Sequence, residues 1–291
     1  MTKRIILDTD IGDDIDDAFA LALAIASPEL ELVGVTTVYG PVEKRARIAR
    51  KLLNWAGKTE IPVIPGFAGC GAPDREPNQA GWATGTGLQP PAQAAVDYLL
   101  QAIKNAPGEI TVVAIGPLSN VAKCLEGEPA IGVKMAELIV MGGSVRRGYA
   151  GAPEPVAEYN IACDVEAAIR VLNSGARLTV VPLDATGTLM LPDRYLGLLR
   201  ESTGPLARAL TELLPLWQAE GRMRPVLHDP LAVGVAFNPG LGRFEPMRLE
   251  VTGDGLTVAI AGGAPNASVC VEADAEALFE LVAGRISAYG V

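Results

Sequence analysis

Arg4-Ile5-Ile6-Leu7-Asp8-Thr9-Asp10-Ile11-Gly12-Asp13-Asp14-Ile15-Asp16-Asp17-Ala18 is the stretch from which the rest of the chain can be read. Arg4–Leu7 is a short apolar run that reads as a buried strand, and Asp16–Ala26 reads as an apolar helix. Between them six carboxylates fall within ten residues, from Asp8 to Asp17. Aspartate favours helix N-caps and the positive end of the helix dipole, which accounts for one or two of them. The others repel at this spacing and need a cation or several backbone N–H groups to offset them. Carboxylate and carbonyl oxygens select a hard ion, calcium ahead of magnesium. An EF-hand does not fit, because Gly12 and Phe19 take the fifth and twelfth loop positions, where ligands belong.

Working outward, apolar β-branched runs alternate with helical patterns, the sign of a mostly parallel sheet covered by helices on both faces. The expected strands are Arg4–Leu7, Leu32–Val38, Ile61–Ile64, Ile110–Ile115, Glu137–Met141 and Leu178–Pro182. Helices are expected over Asp16–Ala26, Val42–Ala56, Ala92–Asn105, Leu118–Leu125 and Val165–Asn173. A helical region around Gly204–Glu220, another after His228, strands near Met247–Val251, Thr257–Ile260 and Ser268–Val271, and a last helix from Asp274 complete an α/β chain read as a single domain over residues 1–291. Two Gly-, Pro- and Ala-rich connections, Gly66–Pro91 and Gly142–Asn160, are long enough to suggest function. In open α/β sheets the ligand crevice lies beyond the carboxyl ends of the strands, so the chemistry is expected just after them.

Composition narrows the partners. The 291 residues hold 24 basic and 34 acidic side chains, a formal charge of −10, which disfavours nucleic acid and anionic lipid. With 49% hydrophobic and 20% charged residues the chain is expected to fold, and its longest apolar stretch, Ala18–Ala26, is too short to span a bilayer. Cys70, Cys124, Cys163 and Cys270 form no C-x-x-C pair, which argues against zinc and a disulfide framework. The N-terminus runs straight into the first strand with no signal-peptide pattern, so a cytoplasmic protein acting on a small molecule is expected.

Further candidates follow other strands. The only histidine, His228, precedes Asp229 and Pro230 at a helix start. It reads either as a locally satisfied side chain or as an acid/base beside a metal-ligand aspartate. Ile115-Gly116-Pro117-Leu118-Ser119-Asn120 is a strand-to-helix turn that bares a carbonyl. Glu158-Tyr159-Asn160 offers an acceptor and a mixed donor and acceptor suited to sugar hydroxyls, while Asp164 reads as an N-cap.

Together, Asp8-Thr9-Asp10 with Asp16-Asp17-Ala18, the Ile115–Asn120 turn, Met141-Gly142-Gly143 with Glu158-Tyr159-Asn160, and His228-Asp229 resemble the nucleoside hydrolase family, the inosine–uridine preferring nucleoside hydrolases. The resemblance implies a Rossmann-like α/β domain that hydrolyses the N-glycosidic bond of ribonucleosides to ribose and a free purine or pyrimidine base, in nucleoside catabolism or salvage. It implies calcium held by Asp10, Asp17, the Ile115 carbonyl and Asp229, and Asp10 as general base on a metal-bound water. Asp16 and Asn160 would hold ribose hydroxyls, Glu158 with Tyr159 would face the 5′ side, and His228 would protonate or hydrogen-bond the leaving base. A homodimer or homotetramer is the implied assembly.

The chain departs from the family's D-x-D-P-G-x-D-D pattern by two extra residues between Gly12 and Asp16, so Asp13 or Asp14 competes with Asp17 as a ligand. Pro41 stands where an asparagine is usual, and Ala152 where an asparagine binds the 5′-hydroxyl, which implies weaker dependence on that hydroxyl. These losses motivate an alternative, a calcium- and ribonucleoside-binding protein with little turnover. A second alternative is an Asp-nucleophile phosphatase of haloacid dehalogenase type, although Gly12 occupies the Thr or Val position of its D-x-D-x-[TV] signature. Trp82, Trp217 and Met223 are read as packing residues slightly ahead of base-stacking ones.

Overall fold

The computed structural model describes residues 2–69, 75–88 and 93–291, so Cys70 and Ala92 and parts of the first long connection lie outside the described residues. The chain runs β1 (Lys3–Thr9), α1 (Asp16–Ala26), β2 (Leu30–Thr37), α2 (Val42–Trp55), β3 (Val63–Pro65), α3 (Ala95–Asn105), β4 (Ile110–Ala114), α4 (Ser119–Gly127) and β5 (Glu137–Met141). Next come α5 (Tyr159–Cys163), α6 (Val165–Leu172), β6 (Leu178–Val181), α7 (Leu183–Thr186), α8 (Asp193–Glu201), α9 (Pro205–Gln218) and α10 (His228–Phe237). It closes with β7 (Gly242–Met247), β8 (Leu249–Val251), β9 (Thr257–Ala259), β10 (Ala267–Ala273) and α11 (Ala275–Ala288).

Eight strands form one sheet in the order β3-β2-β1-β4-β5-β6-β10-β7, parallel throughout except for the β10–β7 pair. The expected mostly parallel α/β sheet is the observed one. Side chains alternate across it: Ile5 and Leu7 enter one apolar core with Phe19, and Ile6 enters the other with Val112 and Ala114. This two-sided cover explains why the strands read as unbroken apolar runs. Strand order reverses between β1 and β4, which opens a crevice beyond their carboxyl ends.

Helix α1 is buried from Asp16 to Ala24 and packs against α10 and α11. Being apolar all round, it can exist only as an interior helix. Its first turn carries Asp16 and Asp17, and the first turn of α10 carries Asp229. Two helix N-termini therefore reach the same end of the sheet, where their dipoles favour negative charge.

The expectations fail at five elements. The strand expected at Met247–Val251 is broken: β7 ends at Met247, and β8 starts a separate hairpin with β9. Strand β7 holds Arg243, Glu245 and Pro246, a composition tolerated on a sheet edge, and that made it unreadable as a strand. Helix α8 was unforeseen because Gly197 interrupts its apolar spacing, and α5 and α7 are too short to leave a periodic signal. Among the described residues, no helix is long and apolar enough to cross a membrane.

Phe19 is fully buried at the centre of the larger core. Replacing it with alanine is expected to cost about 3–5 kcal/mol, read as a lower urea midpoint at unchanged m-value.

Candidate active site

A cavity of about 270 Å³ lies over the β1–β4 crevice, lined among others by Asp10, Asp16, Asp17, Ile115, Glu158, Asn160, His228 and Asp229. The first loop, the β4 turn, the end of the second long connection and the start of α10 thus meet in one place. Asp16, Asp17 and Asp229 are buried, and each brings a carboxylate oxygen within 4.8 Å of the others. The Asp229 amide donates to Asp16 Oδ2 at 3.2 Å, and the Thr9 hydroxyl donates to Asp17. Asp10 sits against the β4 turn, where a Cβ on Gly116 would lie 2.8 Å from its Oδ1.

The remaining carboxylates of the cluster are divided among other partners. Asp8 accepts from the Thr36 hydroxyl at 2.5 Å and from Asn120 Nδ2 at 2.7 Å. Asp13 pairs with Arg45 at 2.8 Å and Arg75 at 3.0 Å, and Asp14 with Arg222 at 3.2 Å. So the extra residues Asp13 and Asp14 face arginines, whereas Asp17 joins the convergent group.

Glu158 is the N-cap of α5. Its Oε1 accepts from the Asn160 amide at 3.0 Å, and its Oε2 from Gly143 at 2.9 Å and Ile161 at 3.2 Å. Asn160 Nδ2 donates to the Ile115 carbonyl at 2.9 Å and the Met141 carbonyl at 3.1 Å, which joins the ends of β4 and β5. Tyr159 stands half-exposed at the rim, edge-on to Tyr39 with ring centroids 6.1 Å apart. Asp164 caps α6 through the Ala167 amide, as expected.

His228 Nδ1 lies 2.8 Å from Thr186 Oγ1, and that hydroxyl donates to the Pro182 carbonyl at 3.2 Å. The network therefore assigns the neutral ring's proton to Nδ1 and leaves Nε2 as an acceptor. Burial pushes the histidine down to about 4. Tyr149, which sequence reasoning missed, lines the cavity edge-on to this ring at 6.3 Å. A lone tyrosine in a Gly- and Ala-rich loop was its only signal. Ala152 is exposed and contributes nothing to the cavity wall, and Pro41 precedes α2.

Trp217 is buried in the core, and Trp82 packs under Lys51 while its Nε1 donates to Glu212, so both are packing residues. Met223 is not: it is 82% exposed, beyond the positive-φ turn at Gly221, on an adjoining cavity that shares Arg222 and His228 with the first.

Comparisons place this arrangement among known proteins. A sequence model of the family described as inosine-uridine preferring nucleoside hydrolase matches residues 5–280. A probable uridine nucleosidase of Arabidopsis thaliana is 31% identical, over 98% of this chain and 97% of its own. A non-specific ribonucleoside hydrolase of Escherichia fergusonii is 34% identical over 97% and 98%. Among solved structures, a plant nucleoside hydrolase superposes with a TM-score of 0.89 at 30% identity, covering 99% of this chain and 100% of that one.

The donor set fits a hard dication. Among the described residues, Asp10, Asp16, Asp17 and Asp229 pair with no lysine or arginine, although all are buried or half-buried. Burial raises all four, Asp10 to about 6, and it raises Asp8 and Glu158 to about 7. Groups raised in the folded state hold protons that the unfolded chain releases near pH 4, so metal-free stability should fall as pH rises from about 4 through about 7. In EDTA, Tm is expected to drop steadily between pH 5 and 8. Added calcium should raise Tm more at pH 8 than at pH 5, since protons compete for the same oxygens. A calcium shift independent of pH would place the ion elsewhere.

Proposed function

Because the chain belongs to the inosine-uridine preferring nucleoside hydrolase family, we propose that it is a calcium-dependent nucleoside N-ribohydrolase that cleaves ribonucleosides to ribose and a free purine or pyrimidine base. The whole chain is read as one domain serving this site. The family membership leaves no place for a phosphatase reading of Asp8 and Asp10. The observation that carries the proposal is the convergence of Asp16, Asp17 and Asp229, buried and, among the described residues, without a cationic partner, on the cavity wall that Asp10 also lines.

The ion would be held by Asp17 and Asp229, which converge with Asp16, and by Asp10 and the Ile115 carbonyl on the wall of the same cavity. When bound it supplies positive charge that lowers the pKa of water and orients the ribose diol. Asp10 takes the proton from the attacking water, as a carboxylate on the cavity wall can. Asp16 and Asn160 hold the vicinal hydroxyls, and Glu158, fixed by three amides, faces the 5′ side with Tyr159 at the rim. As the C–N bond lengthens, the ribosyl centre becomes oxocarbenium-like, and the surrounding carboxylates stabilise its charge. His228 meets the departing base. With the Nδ1 hydrogen given to Thr186, Nε2 of the neutral ring is an acceptor, so it would hold an N–H of the base, or pass on a proton only after the ring has taken up a second one, which burial opposes.

The test is release of free base from inosine, uridine, cytidine and adenosine, with and without a chelator. Turnover lost in EDTA and restored by calcium is expected, and binding without base release would make the protein a ribonucleoside binder. Asp10→Ala should lower kcat by about 10²–10⁴-fold. His228→Ala should slow natural nucleosides far more than an activated aryl riboside. An equal loss on both would make His228 a positioning residue.

A further inference from the structure

One buried side chain touches both loops that precede the cavity. Arg45 of α2 is 2% exposed, and its guanidinium points at the carboxyl ends of β1 and β2. Nε donates to the Tyr39 carbonyl at 2.7 Å. Nη1 donates to the carbonyls of Asp10 and of Ile11, the latter at 3.2 Å. Nη2 donates to Asp13 Oδ2 at 2.8 Å. We propose that Arg45 is a positioning residue for Asp10: by gripping the carbonyl of Asp10 from inside the fold, it fixes the backbone from which that carboxylate projects and locks it to the turn after β2. The inference deepens the reading of Asp10 as general base and rests on it.

Four observations carry it. The carbonyls of Asp10, Ile11 and Tyr39 lie just past the ends of two adjacent parallel strands, where the ladder no longer supplies donors. A planar fork with five N–H groups meets these three carbonyls and the Asp13 carboxylate together, four acceptors for which an ammonium has only three hydrogens. Tyr39 has φ 68, a left-handed conformation rare for a residue with a Cβ. It is held there by Arg45 on its carbonyl and by its own amide, which donates to Phe67 at 2.9 Å. Finally, Asp13, the countercharge of the buried guanidinium at 2.8 Å, ties the segment that follows Asp10 to α2. On the opposite side the Gly116 turn leaves no room for a side chain, so Asp10 is confined between two fixed walls.

The test uses the full chain and Arg45→Lys, which keeps the charge and loses the fork. Expected are a cooperative unfolding transition, a kcat lower by about 10–100-fold, and KM within about threefold. The loss should be equal on inosine and on an activated aryl riboside, because Asp10 acts on the water and not on the leaving group. Calcium affinity measured by calorimetry without substrate should fall about tenfold. Asp13→Asn leaves the three carbonyl grips in place and should lose less than Arg45→Lys; an equal loss assigns the effect to the ion pair and overturns the proposal. A lowered Tm with unchanged kcat and calcium affinity would make Arg45 merely structural. If Arg45→Lys does not fold, Arg45→Gln carries the same expectations. Should the wild type release no base from any nucleoside, the hydrolase reading fails by itself. Arg45 is then judged on calorimetry alone, where unchanged calcium affinity in the variant overturns its role.

Discussion

Six acidic side chains packed at the carboxyl end of a parallel sheet can coexist only if their charge is divided among different partners. Asp8 is taken by the hydroxyl of Thr36 and the amide of Asn120, Asp13 by two arginines and Asp14 by a third. What remains is Asp10, Asp16 and Asp17, joined from the far end of the chain by Asp229. The fold concentrates negative charge here because two helices begin beside the crevice, and helix N-termini soften the repulsion without abolishing it. A low-dielectric setting leaves the residue of that repulsion large, and it is this residue that a hard cation would relieve.

The same constraint explains why the supporting residues are polar but uncharged or fully paired. Glu158 is held by three amides, Asn160 by two carbonyls, and His228 by a threonine hydroxyl that is itself spent on a carbonyl. Each is oriented by backbone at a strand end. Such anchoring fixes geometry more firmly than side-chain partners would, because backbone positions are set by the sheet.

Much of this was legible in the sequence, for identifiable reasons. Strands covered on both faces yield continuous apolar runs, so β4 and β5 were found nearly to the residue and α1 in full, whereas β1 runs on past Leu7 through Asp8 and Thr9, whose polar side chains hid the strand end. The acidic cluster, the turn at Ile115 and the His228-Asp229 pair stand out because polar groups seldom follow buried strands without purpose. Other features were hidden by non-local physics. Arg45 sits in a helix with Lys44, Arg47, Arg50 and Lys51, and nothing local distinguishes the one guanidinium that turns inward to Asp13. Strand β7 pairs only through its edge position, and Met223 was misjudged because its exposure depends on a turn at Gly221.

Asn160 carries a consequence for selectivity. Both hydrogens of its amide are taken up by the Ile115 and Met141 carbonyls, so the group is fixed in one of its two flip states. Only oxygen lone pairs would be left to meet the ribose in the role proposed for it. A hydroxyl can approach that oxygen by giving its hydrogen, whereas an ether oxygen or a fluorine in the same place would meet like with like. In its proposed role the side chain would sort ligands by the polarity of a single hydrogen, and it would inherit that polarity from the strand ends it ties together.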